Sequence, residues 1–259
     1  MTKREIFLPE GCLNGYGLFE TMRAVDKNIV YFDQHINRIS KDGCSIGLSL
    51  PSKKKLKSYI LDLVRKKRLP DAYVKLACLK SVRGTDVIVV VKKYERYPLN
   101  KYRLGFSSCV SSIRQNEYSW LSGIKSISRI AYTLALKEAK EKGYDEAILL
   151  NSRGYVCEGS RSNIFLVKNN QIFTPAAESG CLCGITRLSI MDIARKHKII
   201  FSEAAISLKD CYDADEAFLT NSLIGVMPLA SIENRRIGGS SCGKVTKFLM
   251  SQYGLILRK

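Results

Sequence analysis

Lys125 is a candidate catalytic residue because of its immediate neighbours. It lies in the segment SGIKSISRI, where Ile124 and Ile127 flank it. Apolar surroundings disfavour the charged form of an amine, and a lysine in such a place can act as a nucleophile and proton carrier near neutral pH. Lysine is abundant in this chain, so Lys125 taken alone is better explained as an ordinary surface residue.

Three later segments could complete a site for an anionic cofactor. Glu158 lies in VCEGSRSNIF, at a turn between two apolar strands. The segment 184–187, GITR, opens a predicted helix whose first N–H groups and positive dipole end can receive a phosphate. The segment 219–222, LTNS, ends an apolar strand in three hydrogen-bonding side chains. Each pattern is weak by itself, because helix caps and strand ends use the same residue types.

The elements that would position these residues begin with a small α+β unit over residues 1–96. The segment FETMRAVDKNIVYF reads as two strands around a turn, and Asp33 has the chemistry to cap a helix that runs through Arg38. A basic amphipathic helix over 53–68 follows. Two β-rich runs then flank a turn at Arg83 and Gly84.

A second, larger α+β unit is predicted over residues 102–259, after a polar linker. The apolar spacing predicts a helix from Ser126 to Lys142, with Gly143 as its stop. Four short strands follow, in EAILLN, YVCEG, NIFLVK and QIFTP. The alternation of helices and strands is irregular, which favours an α+β architecture over a regular βαβ series. This unit contains Lys125.

Composition excludes several classes of protein. Hydrophobic residues make up 46% and charged residues 25% of the 259 residues, which is ordinary for a globular protein. No apolar run approaches the length of a membrane span, so no membrane role is expected. Nine cysteines, an odd number without the spacing of a disulfide scaffold, indicate reduced thiols in a cytoplasmic protein. Cys181 and Cys183 form the one close pair, but two histidines supply too few further ligands for a metal site to be expected.

The net charge of +18 is concentrated in part between residues 53 and 68. Such a surface could bind nucleic acid by neutralising phosphates. The same segment is explained by an amphipathic helix, and no RNA- or DNA-binding motif accompanies the charge. A dedicated nucleic-acid partner is therefore not expected, whereas attraction of small anionic molecules is.

Six motifs in a fixed order resemble one enzyme family, and they extend from about Gly15 to Pro228. Their order along the chain is GLFETMR, HINRI, IK, EGSRSNIF, GITR and TNSLIGVMP. The series is similar to the fold-type IV pyridoxal-phosphate enzymes, which include branched-chain and D-amino acid aminotransferases and aminodeoxychorismate lyase. The resemblance implies a two-domain fold like that of D-amino acid aminotransferase, with pyridoxal 5′-phosphate in the cleft between the domains. It also implies a homodimer.

The resemblance assigns a role to each matching residue. Lys125 falls on the lysine that bonds the cofactor, and Glu158 on the carboxylate that faces its ring nitrogen. Arg38 matches the arginine that holds the phosphate, a task suited to its fixed and always charged fork. The other implied phosphate ligands are the backbone amides of Ile185 and Thr186 and the hydroxyl of Ser222.

The segment after Lys125 bears on the reaction. Amino acid transaminases of the family often have tyrosine four residues past the lysine, whereas aminodeoxychorismate lyase resembles this chain in having arginine, here Arg129. Asn221 and the VMP of GVMPL also favour the lyase. The chain departs from the family at Tyr16 and Ser128, and the arginine-rich segment of many lyases is reduced to VRGTD. Arg129, Arg83 and Asn221 are therefore the candidate ligands of the substrate.

The expected reaction is elimination of pyruvate from 4-amino-4-deoxychorismate to give 4-aminobenzoate, a step of folate synthesis. A branched-chain or D-amino acid aminotransferase on the same scaffold is the enzyme alternative. A basic nucleic-acid-binding protein on a degenerate scaffold is the non-enzyme alternative. The expected partner is a small anionic substrate.

Overall fold

The structure is a computed structural model, and it describes residues 10–26, 28–239 and 242–257, without the side chain of Glu10. The chain forms two compact units. The first contains residues 1–94 and 124–129, and the second contains residues 95–123 and 130–259. Residue 27, in the predicted turn between the first two strands, lies outside the described residues.

The first unit is a four-stranded antiparallel sheet covered on one face by helices. Its strands follow the order β2-β1-β3-β4. Its elements are α1 (Glu10–Asn14), β1 (Gly17–Val25), β2 (Asn28–Ile29), α2 (Phe32–Ser45), α3 (Lys53–Lys66), β3 (Asp71–Ser81) and β4 (Gly84–Lys93).

Alternation along β1 explains which face of the sheet is covered. Leu18, Glu20 and Met22 are buried, and the residues between them are only half-buried. The apolar stripe of α3 is buried too, which confirms the predicted amphipathic helix. The predicted cap at Asp33 is wrong. The N-cap of α2 is Tyr31, which makes no side-chain cap, and Asp33 lies in the first turn, where it interacts favourably with the helix dipole.

The segment that carries Lys125 is extended and belongs to the first unit. The Phe19 amide donates to the Lys125 carbonyl at 3.0 Å, and the Ile127 amide donates to the Gly17 carbonyl at 3.0 Å. These bonds to β1 prevent residues 126–129 from being helical, so the predicted helix begins at Ile130 instead of Ser126. They also place Lys125 with the first unit, whereas its sequence position suggested the second.

The second unit is a mixed sheet of nine strands with helices around it. Eight strands follow the order β10-β9-β8-β11-β12-β5-β6-β7, and β13 pairs with β12. The elements are α4 (Leu99–Leu104), β5 (Phe106–Val110), α5 (Ile130–Glu141), β6 (Glu146–Leu150), β7 (Val156–Gly159), β8 (Asn163–Lys168), β9 (Gln171–Pro175), a 3₁₀ turn (Ala177–Ser179), α6 (Ile185–Lys196), β10 (Phe201–Ala204), α7 (Leu208–Asp213), β11 (Glu216–Asn221), β12 (Gly225–Ile232), β13 (Arg235–Arg236) and α8 (Lys244–Ile256).

Several features of the second unit follow directly from the sequence. The four short strands predicted after α5 are present as β6 to β9. Asn169 and Asn170 have φ values of 49° and 61°, the left-handed conformation that a tight hairpin turn requires. The α+β architecture is therefore confirmed. Among the described residues, no helix has the length and apolar character needed to cross a lipid bilayer.

Candidate active site

A buried carboxylate in the first unit binds two basic side chains. We call Glu20, His35 and Arg38 the Glu20 cluster. Nε and Nη2 of Arg38 each donate to a different oxygen of Glu20 at 2.7 Å, and His35 Nδ1 lies 2.7 Å from Oε2. Glu20 comes from β1, and both basic residues come from α2, one turn apart. The two-point contact fixes the plane of the Arg38 guanidinium.

Burial and charge act in opposite directions in this cluster. Burial raises the pKa of Glu20, but the hydrogen bond from His35 and the charge and hydrogen bonds of Arg38 outweigh it and lower this pKa to about 2. Burial lowers the pKa of His35 despite its contact with Glu20, and the charges of Arg38 and Lys125 act in the same direction. A neutral His35 that donates its Nδ1 proton to Glu20 follows.

Lys125 lies close to this cluster. Its ammonium group sits over the ring of Phe19, 4.7 Å from the ring centroid. Phe19 immediately precedes Glu20 on β1, and its amide binds the Lys125 carbonyl. The backbone bonds to β1 and the aromatic contact together hold the lysine in a half-buried position.

In the second unit, Glu158 is the centre of a different arrangement. We call Glu158, Tyr132, Asn163 and Leu182 the Glu158 cluster. The Tyr132 hydroxyl donates to Oε1 of Glu158 at 3.0 Å, and the Leu182 amide donates to Oε2 at 3.1 Å. The Asn163 amide lies 3.5 Å from Oε2 and donates to the Leu182 carbonyl at 2.7 Å. Glu158 is buried, and these donors are neutral.

A second buried carboxylate, Glu146, shapes the turn that follows Glu158. The hydroxyls of Ser160 and Ser162 both donate to Glu146, the second at 3.0 Å. The Gly159 amide closes the turn by donating to the Ser162 carbonyl at 2.7 Å. A Cβ at Gly159 would lie 2.3 Å from the Ser162 hydroxyl, so the turn requires glycine. Glu146 therefore fixes the backbone between Glu158 and Asn163.

The N-terminus of α6 has the features of an anion-binding site. Gly184 is the N-cap and provides no side-chain cap, so the N–H groups of Ile185 and Thr186 have no partner within the helix. A Cβ at Gly184 would lie 2.1 Å from Oδ1 of Asn163, which excludes larger residues. The helix start is thus held against the Glu158 cluster, with its positive end available to an anion.

Thr220 adds an unsatisfied donor to this region. Its hydroxyl is buried and has no hydrogen-bond partner in the part of the chain that the structure describes. Thr220 on β11 is paired in register with Asn163 on β8, so their side chains lie on the same face. A buried hydroxyl without a partner costs free energy unless a ligand satisfies it. The donor set of this region therefore fits a phosphorylated cofactor.

The predicted substrate residues lie in different settings. The Asn221 amide donates to the Arg161 carbonyl at 2.9 Å, and its oxygen accepts from the amides of Leu223 and Ile224, so its side chain fixes the turn that contains Ser222. Arg83 is exposed in the turn between β3 and β4. Arg129 is half-buried at the end of the extended Lys125 segment, before α5 begins.

Sequence reasoning missed four residues of these clusters: Glu20, His35, Tyr132 and Asn163. A signal existed for Glu20, because it stands at a buried position of the alternating strand GLFETM, and a buried carboxylate requires partners. Nothing in the sequence pairs Tyr132 with Glu158, since the two residues come from different elements and meet only in the folded unit.

The comparisons with known proteins identify the family. The family model for amino-transferase class IV matches residues 17–232. A putative branched-chain-amino-acid aminotransferase of Methanocaldococcus jannaschii is 30% identical over 94% of this chain and 88% of its own length. The chain belongs to the class IV aminotransferase family.

Solved structures agree with this assignment. A branched-chain aminotransferase of T.th. with pyridoxamine 5′-phosphate has a TM-score of 0.91 at 25% identity, covering 99% of this chain and 90% of that one. A putative 4-amino-4-deoxychorismate lyase of Legionella pneumophila has a TM-score of 0.89 at 23% identity, covering 98% and 96%, and shows the fold alone. The protein is a fold-type IV enzyme, its cofactor is pyridoxal phosphate, and family membership favours the enzyme over the nucleic-acid-binding alternative.

Proposed function

We propose that this enzyme eliminates pyruvate from 4-amino-4-deoxychorismate to give 4-aminobenzoate. The observation that carries the proposal is Arg129, which stands four residues past Lys125, where many transaminases of the family have tyrosine. Arg129 ends the same extended segment that holds Lys125 against β1. A permanent cation there suits a substrate with two carboxylates better than it suits an apolar amino acid.

Both units supply residues to hold the cofactor in this proposal. Lys125 bonds it covalently and Glu158 binds its ring nitrogen. Its phosphate is held by Arg38, by the backbone amides of Ile185 and Thr186, and by the hydroxyl of Ser222. When bound, pyridoxal phosphate withdraws electrons from the carbon next to the substrate nitrogen. The fixed guanidinium of Arg38 and the open first turn of α6 are the kinds of groups that bind phosphate strongly.

The chain's own residues then account for the proton movements. Lys125 is released when the substrate amine takes its place, and its free amine removes the proton from the ring carbon that bears the substrate nitrogen. The bond between the ring and the enolpyruvyl oxygen breaks, and the leaving group takes up a proton to become pyruvate. Glu158 holds a proton at the cofactor nitrogen throughout. Atoms balance without water or a second substrate, because one substrate yields 4-aminobenzoate and pyruvate.

An aminotransferase reaction is the second candidate, and the names of the relatives favour it. Several are named branched-chain or D-alanine aminotransferases. Such a reaction would use Lys125 and Glu158 in the same way for the first proton transfer. It then requires a keto acid as second substrate, which elimination does not.

The test compares the two reactions in one preparation of cofactor-loaded enzyme. Formation of 4-aminobenzoate and pyruvate from aminodeoxychorismate is measured beside keto-acid formation from L- and D-amino acids with 2-oxoglutarate. We expect equal amounts of the two elimination products and slower amino transfer. Faster transfer with no 4-aminobenzoate would reject the lyase and leave the aminotransferase. The implied homodimer and cytoplasmic location stay predictions.

A further inference from the structure

We propose that Lys75 binds a carboxylate of the substrate beside Lys125. The inference rests on the proposed role of Lys125 as the cofactor lysine. Sequence reasoning considered only Arg83, Arg129 and Asn221 as substrate ligands, and Lys75 is one of several lysines in its strand run. Its position in the folded unit sets it apart.

The register of the sheet places Lys75 next to Phe19. Thr21 on β1 pairs with Lys75 on β3, and Phe19 pairs with Ala77. Directly paired residues of antiparallel strands share a face, and alternate residues of one strand share a face as well. Lys75 and Phe19 therefore lie on the same face of the sheet. Glu20 and the apolar core occupy the opposite face.

Two ammonium groups approach the single ring of Phe19. Lys75 Nζ lies 4.6 Å from the ring centroid and Lys125 Nζ lies 4.7 Å from it. The two nitrogens can be separated by no more than the sum of these distances. The ring attracts each cation, but the cations repel each other, so a bound anion would stabilise the pair.

Lys75 also has no acidic partner in the part of the chain that the structure describes. Other lysines of the protein do, for example Lys101 with Asp145 at 2.8 Å and Lys168 with Asp215 at 2.9 Å. Lys75 is half-buried, so an anion held there would be screened less by water than at an exposed lysine. This combination is expected of a residue whose counter-ion is a ligand.

The spacing defines the chemical class of that ligand. A molecule with an amine and a carboxylate on a small frame can present the amine to the cofactor at Lys125 and the carboxylate to Lys75. Aminodeoxychorismate and α-amino acids both meet this description, whereas simple amines do not. Lys75 therefore selects carboxylated amines.

The test uses Lys75→Met and Lys75→Gln, with Lys92→Met as the matched control. Lys92 is a lysine over a ring in the same sheet, 5.0 Å from the Tyr73 centroid, so its replacement removes the same kind of contact. Equilibrium binding of 4-aminobenzoate and of aniline, which lacks the carboxylate, is followed through the cofactor absorption band. Steady-state kinetics with aminodeoxychorismate supply KM and kcat.

We expect both Lys75 variants to weaken 4-aminobenzoate binding and raise KM by roughly tenfold or more, the effect of losing a hydrogen bond to a charged group. Aniline binding, kcat and cofactor content should change little, and Lys92→Met should resemble the unmodified enzyme. Unchanged 4-aminobenzoate binding, or equal weakening of aniline binding, would overturn the proposal. Loss of cofactor in both Lys75 variants would overturn it too, because Lys75 would then be structural.

Failure of the lyase proposal has a separate signature. An enzyme that forms no 4-aminobenzoate but transfers amino groups is not the lyase, and the KM for its amino acid then replaces the 4-aminobenzoate measurement. A KM unchanged by Lys75→Met would overturn the role of Lys75 in that case. A KM raised roughly tenfold or more would support it.

Discussion

Glu20 in the first unit and Glu158 in the second are both buried carboxylates of the candidate site, but they bind different kinds of partner. Glu20 binds the guanidinium of Arg38 and the ring of His35. The donors shown for Glu158 are a tyrosine hydroxyl, a backbone amide and a side-chain amide, all neutral. The carboxylate of Glu20 serves to orient a cation, whereas that of Glu158 is held in place with its charge not cancelled by these donors.

The difference teaches how one polypeptide can prepare two ends of a charged ligand. A cation that must meet a phosphate is fixed by an internal ion pair, which the protein completes during folding. An anion that must meet a protonated ring nitrogen is oriented by neutral groups, so the ligand supplies the opposite charge. Substitutions in the first unit should therefore mainly affect stability, and those around Glu158 should mainly affect the cofactor.

The largest expected effect is on the free energy of unfolding of Glu20→Gln. The substitution leaves the charge of Arg38 without its partner in a mostly buried position, which typically costs about 3–5 kcal/mol. Glu146→Gln is the comparison in the second unit. Its carboxylate binds hydroxyls only among the contacts seen here, and losing one charge-assisted hydrogen bond costs about 1.5–3 kcal/mol. Urea unfolding of both variants measures the difference.

Asp62→Asn serves as the control for these two substitutions. Its pair with Arg65 is exposed on α3, and such pairs contribute about 0–1 kcal/mol. A Glu20 variant no less stable than the Asp62 variant would remove the distinction between an internal ion pair and an acceptor held by neutral donors.

The next effect concerns pH. The pKa of Glu20 is lowered from 4.5 to about 2 on folding, so its ionised form stabilises the protein above about pH 4.5. This stabilisation, on the order of 3 kcal/mol, is lost as the pH falls through about 2. The difference in unfolding free energy between the unmodified enzyme and Glu20→Gln should shrink over that range. A constant difference from neutral pH to about pH 2 would show that Glu20 is not ionised by its partners as described.

The smallest effect is expected for Tyr132→Phe, which removes one donor from Glu158. Loss of one such hydrogen bond should lower the unfolding free energy by about 1 kcal/mol and speed cofactor dissociation, because Glu158 is then less firmly oriented. Tyr144→Phe is the matched control, since its ring packs against the same alanine-rich cluster and its hydroxyl makes no hydrogen bond in the described chain. Equal cofactor dissociation from the two variants would count against the positioning role of Tyr132.

Local patterns predicted the parts of the fold that depend on neighbouring residues. The stripe of α3, the four short strands β6 to β9 and the glycine that begins α6 all follow from spacing and residue type. The start of α5 did not, because residues 126–129 have a helical pattern but bond to the distant strand β1. That long-range pairing also moved Lys125 into the first unit.

The candidate site was predictable to a similar extent. Single residues in motifs, such as Arg38 and Glu158, could be named from the sequence. Their partners could not, because Glu20 is 18 positions before Arg38 and Tyr132 is 26 positions before Glu158. Lys75 needed the β1–β3 register to place it beside Phe19.

The most direct test of the whole account is the identity of the lysine that carries the cofactor. Borohydride reduction of the cofactor-loaded enzyme makes the lysine bond permanent, and peptide mass spectrometry then locates it. The account predicts a pyridoxyl group on Lys125 and none on Lys75, although both ammoniums lie over the ring of Phe19. A pyridoxyl group found solely on Lys75, or on any other lysine, would contradict it.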